Sequence, residues 1–428
     1  MTRLGCMLLL VSPHFGVFAE DYRARLSHAV RWQGGMAYCR FTFWGETAME
    51  IYLDNSATTV VSQEVAQVVY DVMTTKYGNP SSLHGKGIEA ELVIKAAREQ
   101  VAKALMVPAD AVYFTSGGTE SNNLALFSAV AKAMRVGAKP RIVSTAFEHP
   151  SVLEPLRHLE EQGAELVLLC PDKQGRIPAR AFAEQVDENT ALVSAMAVNN
   201  EFGSVLDVME IAKAVKRKNP EVIVHCDAVQ AFCKLPLRFG SSYIDLVSVS
   251  GHKLHAPKGV GALYINKRLR LAPRVFGGSQ ENGLRAGTEP AALIAGFGEA
   301  AKNAMGDYNQ SARHVQALYA RLRQGVATLP QVVVNSPDEA LPYILNISVP
   351  GVPSEVMMRY LEERGIYVSS GSACGRGKKS YALRSAELAP ELVASALRVS
   401  LSRYNTAEEI DAFIAALSDG IRALGREA

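Results

Sequence analysis

Seven apolar runs of strand length punctuate residues 111 to 265: "AVYFTS", "RIVSTAF", "ELVLLC", "ALVSAMAV", "VIVHCDAV", "DLVSVS" and "GALYI". They are continuous and rich in β-branched residues, the pattern of strands buried on both faces. Between most of them lie helix-like stretches, among them residues 121–136, 179–188 and 208–218. A βα rhythm of this kind predicts an α/β fold with a largely parallel seven-stranded sheet flanked by helices. "KYGNPSSLHGKG" interrupts it with a Gly/Pro/Ser cluster and reads as a loop, and the helix "IEAELVIKAAREQVAKAL" follows.

After about Tyr308 the pattern changes. A long helix, "QSARHVQALYARLRQGVATL", precedes short strands at "YILNISVP" and "IYVSSG", with further helices at 354–364 and 408–424. The reading is a large domain over 62–308 and a smaller α+β domain made of 49–61 and 309–428. Residues 1–48 follow neither pattern. They contain "RLGCMLLLV", which superficially resembles a signal peptide but is too short to span a membrane. Met49 is the expected start of the functional chain, with ordered structure beginning at "MEIYLDNSATT".

Composition narrows the class. The 428 residues are 48% hydrophobic and 21% charged with a formal net charge of +2. That balance suits a soluble globular protein and gives no support to nucleic-acid or membrane-surface binding. Six scattered cysteines with no CxxC pair, Cys6, Cys39, Cys170, Cys226, Cys233 and Cys374, fit a reducing cytoplasm. No HxxxH or HExxH spacing suggests a metal.

The chemically loaded residues fall at strand ends, where parallel sheets bind their ligands. "FTSGGTESNN", "FEHPS", "VNNEFG", "HCDAVQ" and "SGHK" each follow an apolar run. Lys253 is either a surface lysine or a Schiff-base nucleophile tuned by its surroundings. Asp227 either caps a turn or holds a proton on a pyridine nitrogen, with Gln230 one helical turn on. Gly117, Gly118 and Thr119 at a helix start make either an ordinary cap or a phosphate site. His149 is either a hydrogen-bonded loop residue or a ring that stacks on a flat cofactor. No clear GxGxxG or GxxxxGK[ST] pattern in the first half supports a dinucleotide or P-loop alternative. Taken together, these residues describe a site for pyridoxal 5'-phosphate.

At this point the chain resembles the cysteine desulfurases, fold-type I pyridoxal-phosphate enzymes of the class V aminotransferase group. "IYLDNSATT", "YGNPSSLH", "FTSGGTESNNLA", "EHPSVL", "VNNEFG", "HCDAVQ", "SGHKLHAPKGVGALY", "GGSQENGLRAGTEP", "SSGSAC" and "LRVSLSRYNTAEEID" carry the likeness from Ile51 to Asp411. The resemblance implies that Lys253 binds the cofactor covalently and later moves protons, that Asp227 pairs with the pyridinium, and that His149 stacks on the ring. It implies that Asn200 and Gln230 contact the phenolic oxygen, and that Gly118, Thr119, Ser250 and His252 hold the phosphate. Thr288 would reach the cofactor of a neighbouring subunit, making a homodimer with a shared site. Arg398, with Asn200, would bind the carboxylate of L-cysteine.

Cys374, in "SSGSACGRGKKS", would then take the substrate's sulfur as a persulfide, with alanine as the other product. A thiolate is the attacking form, and Arg376, Lys378 and Lys379 are either pKa-lowering cations or solvated loop residues. The Gly/Ser content suits a mobile segment that delivers the persulfide to an acceptor, an iron–sulfur scaffold or a tRNA-thiolation enzyme. After the cysteine this chain reads "GRGKKSYALRS", where housekeeping relatives carry a somewhat longer Thr/Ser-rich stretch, so the route of sulfur transfer stays open. A general transaminase or lyase, a non-catalytic scaffold and a selenocysteine lyase are the alternatives.

Overall fold

The computed structural model describes residues 50–135, 137, 139–370 and 381–425. Cys374 and the residues before Glu50 lie outside that set. Twelve strands are described: β1 (Ile51–Tyr52), β2 (Val112–Thr115), β3 (Arg141–Thr145), β4 (Glu165–Leu169), β5 (Thr190–Met196), β6 (Ile223–Asp227), β7 (Leu246–Ser250), β8 (Gly261–Ile265), β9 (Val333–Val334), β10 (Ile344–Ser348), β11 (Ile366–Tyr367) and β12 (Ala396–Ser400). Strands β2 to β8 are the seven apolar runs, and they form one sheet in the order β2-β8-β7-β6-β5-β3-β4. Pairing is parallel throughout except at β8, which runs antiparallel to both β2 and β7. The other six strands therefore point their carboxyl ends to one rim.

Alternation along each strand divides the sheet between two apolar layers. Ile142, Leu192, Leu246 and Leu263 pack with Leu124, Leu126, Val130, Leu156 and Leu159 of the helices Gly118–Arg135 and Pro150–Glu161. Their neighbours Val143, Val193, Val247 and Ala262 face the other layer, which includes Val101, Ile211, Val215 and Phe297. A strand buried on both sides admits polar side chains along its length only where they are hydrogen-bonded, as Ser144, Ser194, His225 and Ser248 are here, and leaves charged groups to its ends. This is why continuous apolar runs and polar strand ends go together in the sequence.

Two smaller sheets complete the description. β12, β10 and β9 form an antiparallel sheet, and β1 pairs in parallel with β11. The segment "LRVSL" thus contributes a buried strand that its short length concealed among serines. Helix boundaries fall within three residues of expectation at 118–135, 354–362 and 407–424, and four residues short at 179–184. The last long helix, Ala407–Leu424, starts on a reciprocal cap in which Thr406 accepts from Glu409 N–H and Glu409 accepts from Thr406 N–H.

The segment that ends in Thr288 is fastened by a buried ion pair. Arg98, on the helix Gly85–Leu105, makes two parallel bonds to Glu281, 2.7 and 2.8 Å long. Glu281 also accepts from Phe114 N–H at 3.0 Å, and it and Asn282 take left-handed φ values of 47° and 54°. Only 6% of Glu281 is exposed, and Arg98 is the counter-ion it pairs with. Arg98→Ala is expected to cost about 3–5 kcal/mol by leaving a carboxylate buried without its counter-ion. Urea unfolding checks this; a loss below about 1 kcal/mol would show the pair to be dispensable.

Candidate active site

Each motif marked in the sequence lands on the carboxyl rim of the large sheet. Gly117 to Thr119 follow β2, His149 follows β3, Asn199 and Asn200 follow β5, Asp227 ends β6, and Ser250 ends β7 with Gly251 to Lys253 after it. The rim is closed by a strap, residues 54–59, that runs on from β1. Lys253 Nζ donates to Ser56 O at 2.5 Å and to Ala57 O at 2.7 Å. Gln230 Nε2 donates to Ser56 O at 2.9 Å, and Thr59 N–H and Oγ1 both donate to His252 O. The strap is held from its other side by β12, where Ser56 N–H donates to Ser400 Oγ at 2.8 Å.

Asp227 is 5% exposed, and each of its carboxylate oxygens accepts one bond from the protein. Its Oδ2 accepts from Asn122 Nδ2 at 2.8 Å and its Oδ1 from Val229 N–H at 2.9 Å. Asn122 also donates to Ser151 Oγ, which lies 2.8 Å from His149 Nδ1. His149 is the N-cap of the helix Pro150–Glu161, and its Nδ1 accepts from Ser151 N–H at 3.1 Å. An accepting Nδ1 places any proton of the neutral ring on Nε2. Burial lowers the His149 pKa, partly opposed by Asp227, so the ring is neutral near pH 7. His252 is pushed down to about 4 by burial and then by Lys253, and its Nδ1 lies 3.2 Å from Thr58 Oγ1.

A phosphorylated aromatic cofactor fits these residues on three counts. Ser250 Oγ and Gln230 Oε1 are buried polar atoms with no hydrogen-bond partner in the protein. Gly117 has a φ of 150°, and a Cβ built there would stand 3.9 Å from that same Ser250 Oγ. At Gly118 a Cβ would meet the Val229 side chain at 2.8 Å and stand 3.6 Å from Ser250 Cβ, so a larger residue would crowd this place. The helix that begins at Gly118 turns free N–H groups and the positive end of its dipole to this place. Thr119 is exposed at that helix start, beside an open concavity of about 510 Å³ that His149 and Ser151 also line.

Arg398, on β12, comes to the site from the small three-stranded sheet. It is 2% exposed, donates to Asn200 O at 3.1 Å and to Asp54 Oδ1 at 2.8 Å, and leaves Nε without a partner. Ser369 and Arg398 exchange backbone bonds of 3.2 and 2.7 Å, so the last described residues before Cys374 lie beside Arg398. Thr288 is exposed, on the segment held by Arg98 and Glu281. Among the described cysteines, burial pushes the thiols of Cys226 and Cys233 up, which leaves neither as a thiolate at neutral pH. Among the described residues no three His, Cys, Asp or Glu side chains gather as a metal site, and no helix is long and apolar enough to cross a membrane.

Three residues of the network escaped the reading of the sequence: Asn122, Ser151 and Glu148. The first two lie inside "SNN" and "HPS", and the helical phase of the stretch that follows each motif was the available signal. Glu148 precedes His149 and carried no signal, because a glutamate in a loop is ordinarily solvated. Its Oε1 instead accepts from Met196 N–H at 2.7 Å and Thr145 Oγ1 at 2.9 Å, tying the ends of β3 and β5 together.

Such a rim, with a lysine, an aspartate and a helix start at the strand ends, fits an α/β enzyme of the pyridoxal-phosphate type. The chain belongs to the aminotransferase class-V family, which it matches over residues 51–413. It is 39% identical over 370 residues to the cysteine desulfurase NifS of Azotobacter vinelandii, covering 85% of this chain and 91% of that one. Among solved structures, a NifS-like protein superposes with a TM-score of 0.83 at 36% identity, over 88% of this chain and all of the other. A second, SspA in complex with cysteine, superposes at 0.73 with 31% identity, over 83% of this chain and all of that one. Class V aminotransferases and cysteine desulfurases are pyridoxal-phosphate-dependent as a family.

Glu148 gives a pH signature. Burial, and then the charge of Asp227, push it from 4.5 up to about 8. Between these values the folded protein holds a proton that the unfolded chain has lost. The associated stability is complete below pH 4.5 and is lost as pH rises to about 8. The expected loss is on the order of a few kcal/mol. Glu148→Gln removes it, so the thermal stability of the wild type should fall relative to the variant between pH 5 and 8. Parallel melting curves across that range would contradict the buried acid.

Proposed function

We propose that the protein is a pyridoxal-phosphate-dependent cysteine desulfurase that converts L-cysteine to L-alanine and keeps the sulfur as a persulfide on Cys374. The observation that carries the reading is the convergence of Lys253, Asp227, His149 and Ser250 on one rim, with Arg398 facing them from a second sheet. The cofactor, when bound, supplies an electron sink at the substrate's α-carbon. Lys253, Gly118, Thr119, Ser250 and His252 would hold it, Asp227 would keep its ring nitrogen protonated, and Gln230 and Asn200 would meet its phenolic oxygen.

The chain's own groups then divide the work. Arg398 and Asn200 orient the substrate by its carboxylate, the fork of the guanidinium fixing which face is presented. Lys253 carries a proton to and from the substrate's carbon, and His149, neutral with its proton on Nε2, is placed to share in that transfer. The Cys374 thiolate forms a sulfur–sulfur bond as the substrate's carbon–sulfur bond breaks. The electron pair stays with the substrate carbon, which takes up a proton to become the methyl group of alanine. L-cysteine plus enzyme thiol thus gives L-alanine plus enzyme persulfide, with no external reductant.

The smaller domain, 49–61 with 309–428, carries the Cys374 segment in this reading and delivers sulfur to a protein acceptor in the cytoplasm, an iron–sulfur scaffold or a tRNA-thiolation enzyme. A second copy of the chain would bring Thr288 to the neighbouring cofactor.

The test uses purified protein with pyridoxal phosphate and L-cysteine, following alanine and the persulfide on Cys374 by mass spectrometry. Cys374→Ala and Lys253→Ala are each expected to lower alanine release at least about a hundredfold. Undiminished turnover in Cys374→Ala would instead indicate a general transaminase or lyase.

A further inference from the structure

The guanidinium of Arg398 already holds a carboxylate. Asp54 Oδ1 lies 2.8 Å from its Nη2, with 3% of the arginine side chain and 19% of the aspartate side chain exposed. The opposite arm donates to Asn200 O, and Nε is buried with no partner. Asp54 is itself fixed, since it pairs with Ser400 in a bridge to β12 and its carbonyl accepts from Ala57 N–H. Its position is therefore set by the same strap that receives Lys253.

A buried guanidinium needs a counter-charge and a fixed plane, and Asp54 supplies both. It also places one negative charge beside the point where a second would arrive. Two carboxylates sharing one guanidinium in a weakly screened site repel each other, so the arginine binds the second less tightly than it would alone. Both substrate and product of the proposed reaction are α-amino acids with that carboxylate. A clamp with an undivided charge would retain L-alanine and slow its departure.

We propose that Asp54 is a positioning residue that fixes the fork of Arg398 and, by its charge, holds down the affinity of the site for α-carboxylates so that product can leave. This rests on the carboxylate-binding role given above to Arg398.

The test is a binding titration of the cofactor-loaded enzyme, followed by the cofactor's absorbance, with L-alanine and with L-alaninamide, which lacks the carboxylate charge. Asp54→Asn keeps a hydrogen-bond acceptor for Arg398 and removes the charge. It is expected to bind L-alanine at least about tenfold tighter while L-alaninamide is unchanged. Asp54→Ala, which loses the acceptor as well, should bind L-alanine more weakly than Asp54→Asn. Should Asp54→Asn not fold, Asp54→Ser removes the charge in a smaller side chain and is read in the same way. Equal shifts for both ligands, or none for L-alanine, would overturn the role of Asp54. Arg398→Lys separates the two readings: unchanged L-alanine binding there would show that Arg398 is not the clamp, whereas weakened binding there with an unresponsive Asp54→Asn would fault Asp54 alone.

Discussion

A sheet covered on both faces has no place for charge except where its strands stop. That constraint organises this molecule. With apolar residues turned to both layers along β3, β5, β6 and β7, charged side chains are displaced to the strand ends, and five separate segments meet at the carboxyl rim. The antiparallel β8 does not disturb this, because it returns between β2 and β7 and leaves their carboxyl ends on the same rim. Reactive groups from distant parts of the chain are thereby assembled by nothing more specific than strand direction.

Crowding charge at a buried rim raises a second difficulty, which neighbouring groups resolve by dividing protons. Asp227 accepts two N–H bonds, and its charge bears on Glu148. Glu148, nearby and deeper, is driven to its neutral form by burial and by that charge. His149 and His252 are held neutral as well, chiefly by burial. Side-chain bonds from Asn122 to both Asp227 and Ser151 connect these groups into one network rather than a set of independent residues.

Much of this was legible in the chain alone, for a physical reason. Apolar runs followed at once by Gly117–Thr119, His149, Asp227 or Lys253 advertise a strand and its functional end in a single stretch of sequence. What escaped has the opposite character. Arg398 and Asp54 are 344 positions apart, and nothing local to either foretells their contact. Glu148 reads as a solvated loop residue because its burial is imposed by β3 and β5 closing around it. The strand β12 is five residues long among serines, too short for periodicity to distinguish it from a turn. Cys374, with the strongest chemical expectation of all, falls outside the described residues, though the bridge between Ser369 and Arg398 fixes where its segment departs.

The imidazole of His149 belongs to two structures at once. Through Nδ1 it terminates the helix Pro150–Glu161 by taking the N–H of Ser151, and the ring so oriented is the one that faces the rim. Secondary structure and the role proposed for the ring therefore depend on the same atoms. Selection acting on either would preserve the residue, and the two pressures could not be told apart by watching whether it changes. A designer wishing to move the helix would find the chemistry moving with it.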